Sequence, residues 1–128
     1  MTKTTIREDI AAVLGGGICF EALKGVRVVT HCLYPSFEQV TVLVQRQGDG
    51  FLITDDGGAA SVSFAHGVDR AVADEAMQRE ARRHGLLVID AALVVTVLNR
   101  EWLAAAILSI ANASAAAVAR GVEANSAP

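Results

Sequence analysis

Glu38, Asp55 and Asp56 are the residues whose types and spacing most suggest chemistry. A β-hairpin turning between Gly48 and Asp49 sets Asp55 opposite Val42 and brings Glu38 toward the start of the helix that follows, so three carboxylates could gather at one end of a sheet. A hard divalent cation such as Mg²⁺ or Mn²⁺ is held by one or two carboxylates plus water, and a metal-dependent phosphodiesterase or nuclease is the natural extrapolation. Enzymes of that kind usually use a lysine to stabilise charge in the transition state, and no lysine follows Lys24. The competing reading is structural. Asp-Gly is ordinary turn chemistry, Thr54 and Gly57 are turn residues, and Asp55 or Asp56 can cap the backbone N–H groups of a helix starting after Gly58. Capping is the preferred reading; no cofactor is expected, and a divalent cation at Glu38, Asp55 and Asp56 is kept as the alternative.

Other reactive side chains offer less. Arg79, Arg82 and Arg83 form a basic cluster that could contact an anion, but they also suit the C-terminal end of a helix dipole. His31, His66 and His84 lack the i, i+4 spacing of a metal pair. Cys19 and Cys32 are too far apart for Cys-x-x-Cys chemistry and too few for a disulfide framework, so they read as reduced packing residues. His31 and Cys32, as strand neighbours, point to opposite faces. There is no Gly-x-Ser-x-Gly elbow, and Gly15-Gly16-Gly17 follows a helix where a phosphate loop would follow a strand.

The elements that must position these residues come from periodicity. Thr5-Ile6-Arg7-Glu8 has capping-box spacing, and Ile6, Ile10, Val13 and Leu14 then mark one face of a helix stopped by Gly15-Gly16-Gly17. Ile18 to Leu33 reads as two strands divided at Lys24-Gly25, with Val26, Val28 and Thr30 on one face and Arg27, Val29 and His31 on the other. Tyr34-Pro35-Ser36 turns the chain. Gln39–Arg46 and Phe51–Thr54 pair across Gln47-Gly48-Asp49-Gly50. A short helix is expected over Ala59–His66 and a longer one from Val68 to His84, with Gly85 as its stop and i, i+4 pairs from Glu75 to Arg79 and from Glu80 to His84. Leu86–Ile89 and Leu93–Leu98 form a strand pair around Asp90-Ala91-Ala92. Asn99 N-caps a final helix whose apolar face is Trp102, Leu103, Ala106, Ile107, Ile110 and Val118, and the chain frays from Gly121.

With 128 residues, 52% of them hydrophobic and 20% charged, the chain is long and apolar enough for one core. Intrinsic disorder is excluded for most of it. Eleven Lys and Arg against fourteen Asp and Glu give a net charge of −3, with no basic half or tail, so nucleic acid is not an expected partner. The stretches Leu86–Leu98 and Leu103–Ala119 are apolar, but Asp90 breaks the first, and the second is alanine-rich with Ser109, Asn112 and Ser114. A core helix is expected there and no membrane partner. Acidic residues near the N-terminus replace the apolar run of an export signal, so a cytoplasmic location is expected.

The stretch Phe51-Leu52-Ile53-Thr54-Asp55-Asp56-Gly57 resembles the signature of a bacterial and phage family, domain of unknown function 1828, in which a hydrophobic-Thr-Asp-Asp-Gly turn follows a hairpin. Thr30 to Phe37, then Glu38 and Val40-Thr41-Val42, look like that family's preceding strand, and Phe64 to Gly67-Val68 and Gly85-Leu86-Leu87 look like its downstream segments. The resemblance covers roughly residues 18 to 118. Glu38 departs from it where Asp is expected, and His31-Cys32 replace a Pro-Phe pair. It implies an architecture and an occurrence in mobile elements more than a reaction.

The expected fold is α+β, one domain over residues 1–120 with a flexible tail over 121–128: a small antiparallel sheet with an N-terminal helix and C-terminal helices packed on one face. The expected function is a small protein-interaction module, a phage or mobile-element accessory factor with a protein partner. A homodimer through helix 100–120 is conceivable because small residues permit close helix approach.

Overall fold

The computed structural model describes residues 5–14, 19–22 and 24–126. Gly15-Gly16-Gly17, expected to stop the first helix, and Ile18 lie outside the described residues. The order is α1 (Ile6–Leu14), β1 (Cys19–Ala22), β2 (Gly25–Leu33), β3 (Gln39–Gln47), β4 (Gly50–Thr54), α2 (Gly58–Ala65), α3 (Arg70–His84), β5 (Leu87–Ile89), β6 (Ala92–Val97), a 3-10 turn over Arg100–Trp102, and α4 (Leu103–Ser126). The fold is α+β, with six antiparallel strands in the order β1-β2-β3-β4-β6-β5.

The capping box at α1 forms in both directions: the Glu8 N–H donates to Thr5 Oγ1 at 3.1 Å and the Thr5 N–H to Glu8 Oε1 at 3.3 Å. The β3–β4 hairpin closes through Gly48 and Asp49, with Gln47 paired to Gly50. Gly48 alone of the two has positive φ, the requirement at the first position of a type II′ turn. The turn is centred between Gly48 and Asp49, as the sequence implies, and Gly50 belongs to the strand. There a Cβ would run into the backbone of Val97.

One sheet face carries Val26 and Val28 of β2, Val40, Val42 and Val44 of β3, Phe51 and Ile53 of β4 and Leu93 of β6, all buried in one cluster with residues of α1, α2, α3 and α4. Alternation places them together, since Val28 pairs with Val42, Val44 with Ile53, and Ile53 with Val95. The register shifts between Val29 and Leu33, and the Thr30 hydroxyl serves that irregularity by donating to the Val40 carbonyl and accepting from the Cys32 N–H. The opposite face holds Arg27, Val29, Thr41, Gln45, Leu52, Thr96, Leu87 and Ile89, with Leu43, Thr54 and Val94 buried along its middle row.

α4 is the central helix of the core. Leu103, Ala106, Ile107, Ile110, Ala111, Ala113, Ser114, Ala117, Val118 and Gly121 are buried along it. With its preceding turn it is long and apolar enough to cross a membrane, and half of that stretch is packed inside the protein. Most of its small residues pack within the chain, while Ala105, Leu108, Asn112 and Ala119 are exposed.

Five expectations need correcting. The helix does not fray at Gly121 but runs to Ser126, with Gly121 itself buried beside Val68 and Ala76. Asn99 gives no side-chain cap; a 3-10 turn intervenes, and Trp102, expected on the buried stripe, is 60% exposed. α3 starts at Arg70, while Val68 is buried in the connection before it. Glu80 does not reach out to His84 but is buried against α4, where Arg120 Nε donates to its Oε1 at 2.9 Å.

Candidate functional site

The acidic turn sits between the end of β4 and the start of α2, and each of its residues has a structural task. Thr54 Oγ1 accepts from the Asp56 N–H at 3.0 Å. Asp56 and Gly57 both have positive φ, at 54° and 80°, a conformation Asp tolerates and Gly adopts without strain. The Gly58 N–H closes the turn onto the Asp55 carbonyl at 2.9 Å.

Asp55 is 2% exposed and its carboxylate accepts four hydrogen bonds. Oδ1 takes the Gly57 N–H at 3.1 Å and the Leu93 N–H at 3.0 Å; Oδ2 takes the Ala59 N–H at 3.0 Å and the Ser114 hydroxyl at 2.8 Å. One side chain therefore ties its own turn to the first turn of α2, the start of β6 and the middle of α4. Four acceptor sites are the capacity of a carboxylate, and all four are filled. The negative charge is further matched to the N-terminal end of α2, where backbone N–H groups lack partners within the helix.

The network continues one residue further. Ser114 Oγ lies 2.8 Å from the Tyr34 hydroxyl, and since the single Ser114 proton goes to Asp55, Tyr34 is the donor. Tyr34, the only tyrosine in the chain, is buried just before the β2–β3 turn. Burial pushes its phenol up to about 12; the Ser114 contact works against this, and the negative charges of Asp55 and Glu38 add to it. Gly58 completes the arrangement, for a Cβ at that position would stand 2.5 Å from the Tyr34 oxygen.

Asp56 points elsewhere. It pairs with Arg27 of β2, so the ion pair spans β3 on the sheet face opposite the one that packs against the described helices. Glu38 accepts from the Ser36 hydroxyl at 3.1 Å and is exposed. The expected gathering of Glu38, Asp55 and Asp56 is therefore only partial: Glu38 and Asp55 both act on Tyr34, while Asp56 is turned to the other face. Among the described residues no three His, Cys, Asp or Glu side chains stand together as a metal-ligand group. The capping reading of Asp55 is the one the geometry fits.

The arginines are dispersed along α3. Arg79 lies 3.6 Å from Glu75, the expected i, i+4 pair, and Arg83 lies 3.6 Å from buried Glu80. Cys19 and Cys32 are free thiols, and Cys32 Sγ donates to Asn112 Oδ1 at 3.3 Å. Sequence reasoning missed Tyr34, Ser114, Arg27 and the Glu80–Arg120 pair. A signal existed for Ser114, a lone hydroxyl in an alanine run on the buried stripe, but its partner lies 59 positions away.

Two shallow cavities flank α3. One, about 450 Å³, lies between α2, α3 and the β5–β6 turn and is lined by Phe64, Arg70, Asp74 and Met77 among others; the second, about 420 Å³, lies between α3 and α4. No protein-family model matches the chain, and neither a curated protein nor a solved structure matches it.

Proposed function

We propose that the chain is a small protein-binding module whose contact surface includes Leu98 and Trp102. The observation that carries this reading is their exposure: Leu98 is 79% and Trp102 60% exposed, four positions apart at the end of the sheet where β6 leads into α4. A large aromatic side chain left in water gains free energy when a partner covers it, and tryptophan is enriched among the residues that dominate binding energies.

The acidic turn supports the same reading from the other side. To ligate a divalent metal, Asp55 would have to give up hydrogen bonds that hold three elements together, so the phosphodiesterase alternative works against the fold that would have to support it. The resemblance to domain of unknown function 1828 supplies the proposed setting, a phage or mobile-element accessory factor acting on a host protein in the cytoplasm.

The test is a quantitative capture from host lysate with wild type, Trp102→Ala and Leu98→Asp. The expected result is a stoichiometric partner whose affinity falls about 30-fold in Trp102→Ala, equivalent to about 2 kcal/mol. A partner held equally by all three proteins, or no stoichiometric partner, overturns the proposal.

A further inference from the structure

The outer edge of β5 carries a self-complementary set of groups. β5 is the last strand of the sheet, and among the described residues nothing pairs with its free side. Asp90 and Ala91 both have positive φ, at 50° and 61°, which makes the β5–β6 connection a two-residue turn of type I′. In such a hairpin the flanking residues, Ile89 and Ala92, form a hydrogen-bonded pair, and pairs alternate from there. Val88 opposite Leu93 is therefore a non-hydrogen-bonded pair, so the Val88 N–H and C=O point outward from the sheet. Leu87 and Ile89 project from the face opposite the core cluster and are 63% and 50% exposed. An edge with unpaired backbone groups and bare apolar side chains is a template for another strand.

We infer that this edge binds a second copy of the chain, β5 pairing antiparallel with β5 of the copy about a twofold axis at Val88. This goes beyond the proposed partner surface at Leu98 and Trp102 and does not depend on it. Centring the pair on Val88 lets each Val88 exchange two hydrogen bonds with its counterpart, using the outward groups that β6 leaves unpaired. The next positions then match Leu87 with the copy's Ile89 in the close, non-hydrogen-bonded spacing where cross-strand side chains touch best.

Charge agrees with the same direction. Acidic Asp90 closes one end of β5, while Arg82, Arg83 and His84 approach the other end from the last turn of α3. Among the described residues neither Asp90 nor Arg82 has an ion-pair partner within the chain. Antiparallel pairing brings the Asp90 end of each copy to the basic end of the other; a parallel arrangement would put like charges side by side. A short strand buries little area, so the association belongs among weak dimers.

Sedimentation equilibrium over a wide concentration range tests this on the full chain, with Val88→Pro, Ile89→Lys and Leu108→Lys beside wild type. Val88→Pro removes the outward N–H and no bond to β6; Ile89→Lys puts like charge across the twofold. The expected result is a species of twice the 13.4 kDa chain mass in wild type and Leu108→Lys. Its dissociation constant should rise at least roughly tenfold in Val88→Pro and Ile89→Lys, with unchanged far-ultraviolet spectra. A wild type that stays monomeric overturns the inference, as does a dimer that survives both β5 variants. Loss of the dimer in Leu108→Lys alone would assign the interface to the exposed side of α4.

Discussion

Ser114 and Asp55, 59 positions apart, share a 2.8 Å hydrogen bond that locks the middle of the core helix to the turn at the end of β4. The bond is buried at both ends, and Tyr34 donates to the same serine. Ser114→Ala leaves the Tyr34 hydroxyl without its acceptor and one Asp55 acceptor site empty. Unfolding in urea should show a loss of about 1–3 kcal/mol, with the slope unchanged. A variant as stable as wild type would mean that water replaces the hydroxyl at no cost and that the network is not what anchors α4.

Asp55 should be the most sensitive residue of the turn, and Asp56 the least. Asp55→Asn keeps the shape but replaces one acceptor oxygen by a donor facing N–H or O–H donors, costing about 3 kcal/mol or more. Asp56→Asn keeps a residue that tolerates the positive φ and removes the charge of an ion pair whose two side chains are about one-third exposed, so a change of no more than about 1 kcal/mol is expected. Chemical denaturation of the two variants side by side checks the order, and the reverse order would move the importance of the turn to its exposed face.

Tyr34 gives a pH signature. Its phenol ionises at about 12 in the folded chain and at 10.0 when unperturbed, so the unfolded state loses its proton first as pH rises. The stability due to this difference is whole below pH 10, declines as pH rises above 10 and is gone above 12. Its size is at most about 3 kcal/mol. With one tyrosine in the sequence, phenolate absorbance reports the site without interference. Tyr34→Phe should flatten this part of the stability profile, and an unchanged slope in that variant would remove Tyr34 as its source.

Much of this arrangement was legible because it is local. The capping box at Thr5 and Glu8, the alternation of Val40, Val42 and Val44, the stop at Gly85 and the capping role of Asp55 each depend on residues a few positions apart. What was not legible depends on chain crossings. The sequence near Glu80 shows a helical salt-bridge pattern, and only the packing of α4 over α3 turns that glutamate toward Arg120. Trp102 fits the apolar stripe by spacing, but the 3-10 turn at Arg100–Trp102 changes the angular step before α4 begins and puts the ring in water. The partial separation of Glu38, Asp55 and Asp56 has the same origin, since two residues in left-handed conformations after Asp55 turn Asp56 toward Arg27.

Gly58 tests the close approach directly. A methyl group there meets the Tyr34 oxygen at 2.5 Å but the ring carbon bearing it only at 3.7 Å. Gly58→Ala should therefore destabilise by about 1–3 kcal/mol through overpacking. Adding Tyr34→Phe removes the colliding atom, so the double variant should lose less than the two single changes summed, a coupling readable in a double-mutant cycle. Strict additivity would show that the cost at Gly58 comes from the backbone and not from tyrosine.

The β5–β6 turn holds strain that a single substitution should release. Ala91 has φ 61°, a region that costs an L-residue with a Cβ about 1 kcal/mol, whereas the type I′ turn requires it at both central positions. Asp90 tolerates the conformation, and glycine at the second position is what such turns favour. Ala91→Gly should stabilise the chain by about 1 kcal/mol, less the entropy glycine adds to the unfolded state, while Ala91→Val should destabilise it by more than that. Thermal unfolding of the pair gives opposite shifts if Ala91 is held in the left-handed region by the hairpin. Shifts of the same sign would mean that the turn adapts to its residues, and the register that points Val88 outward would no longer follow from it.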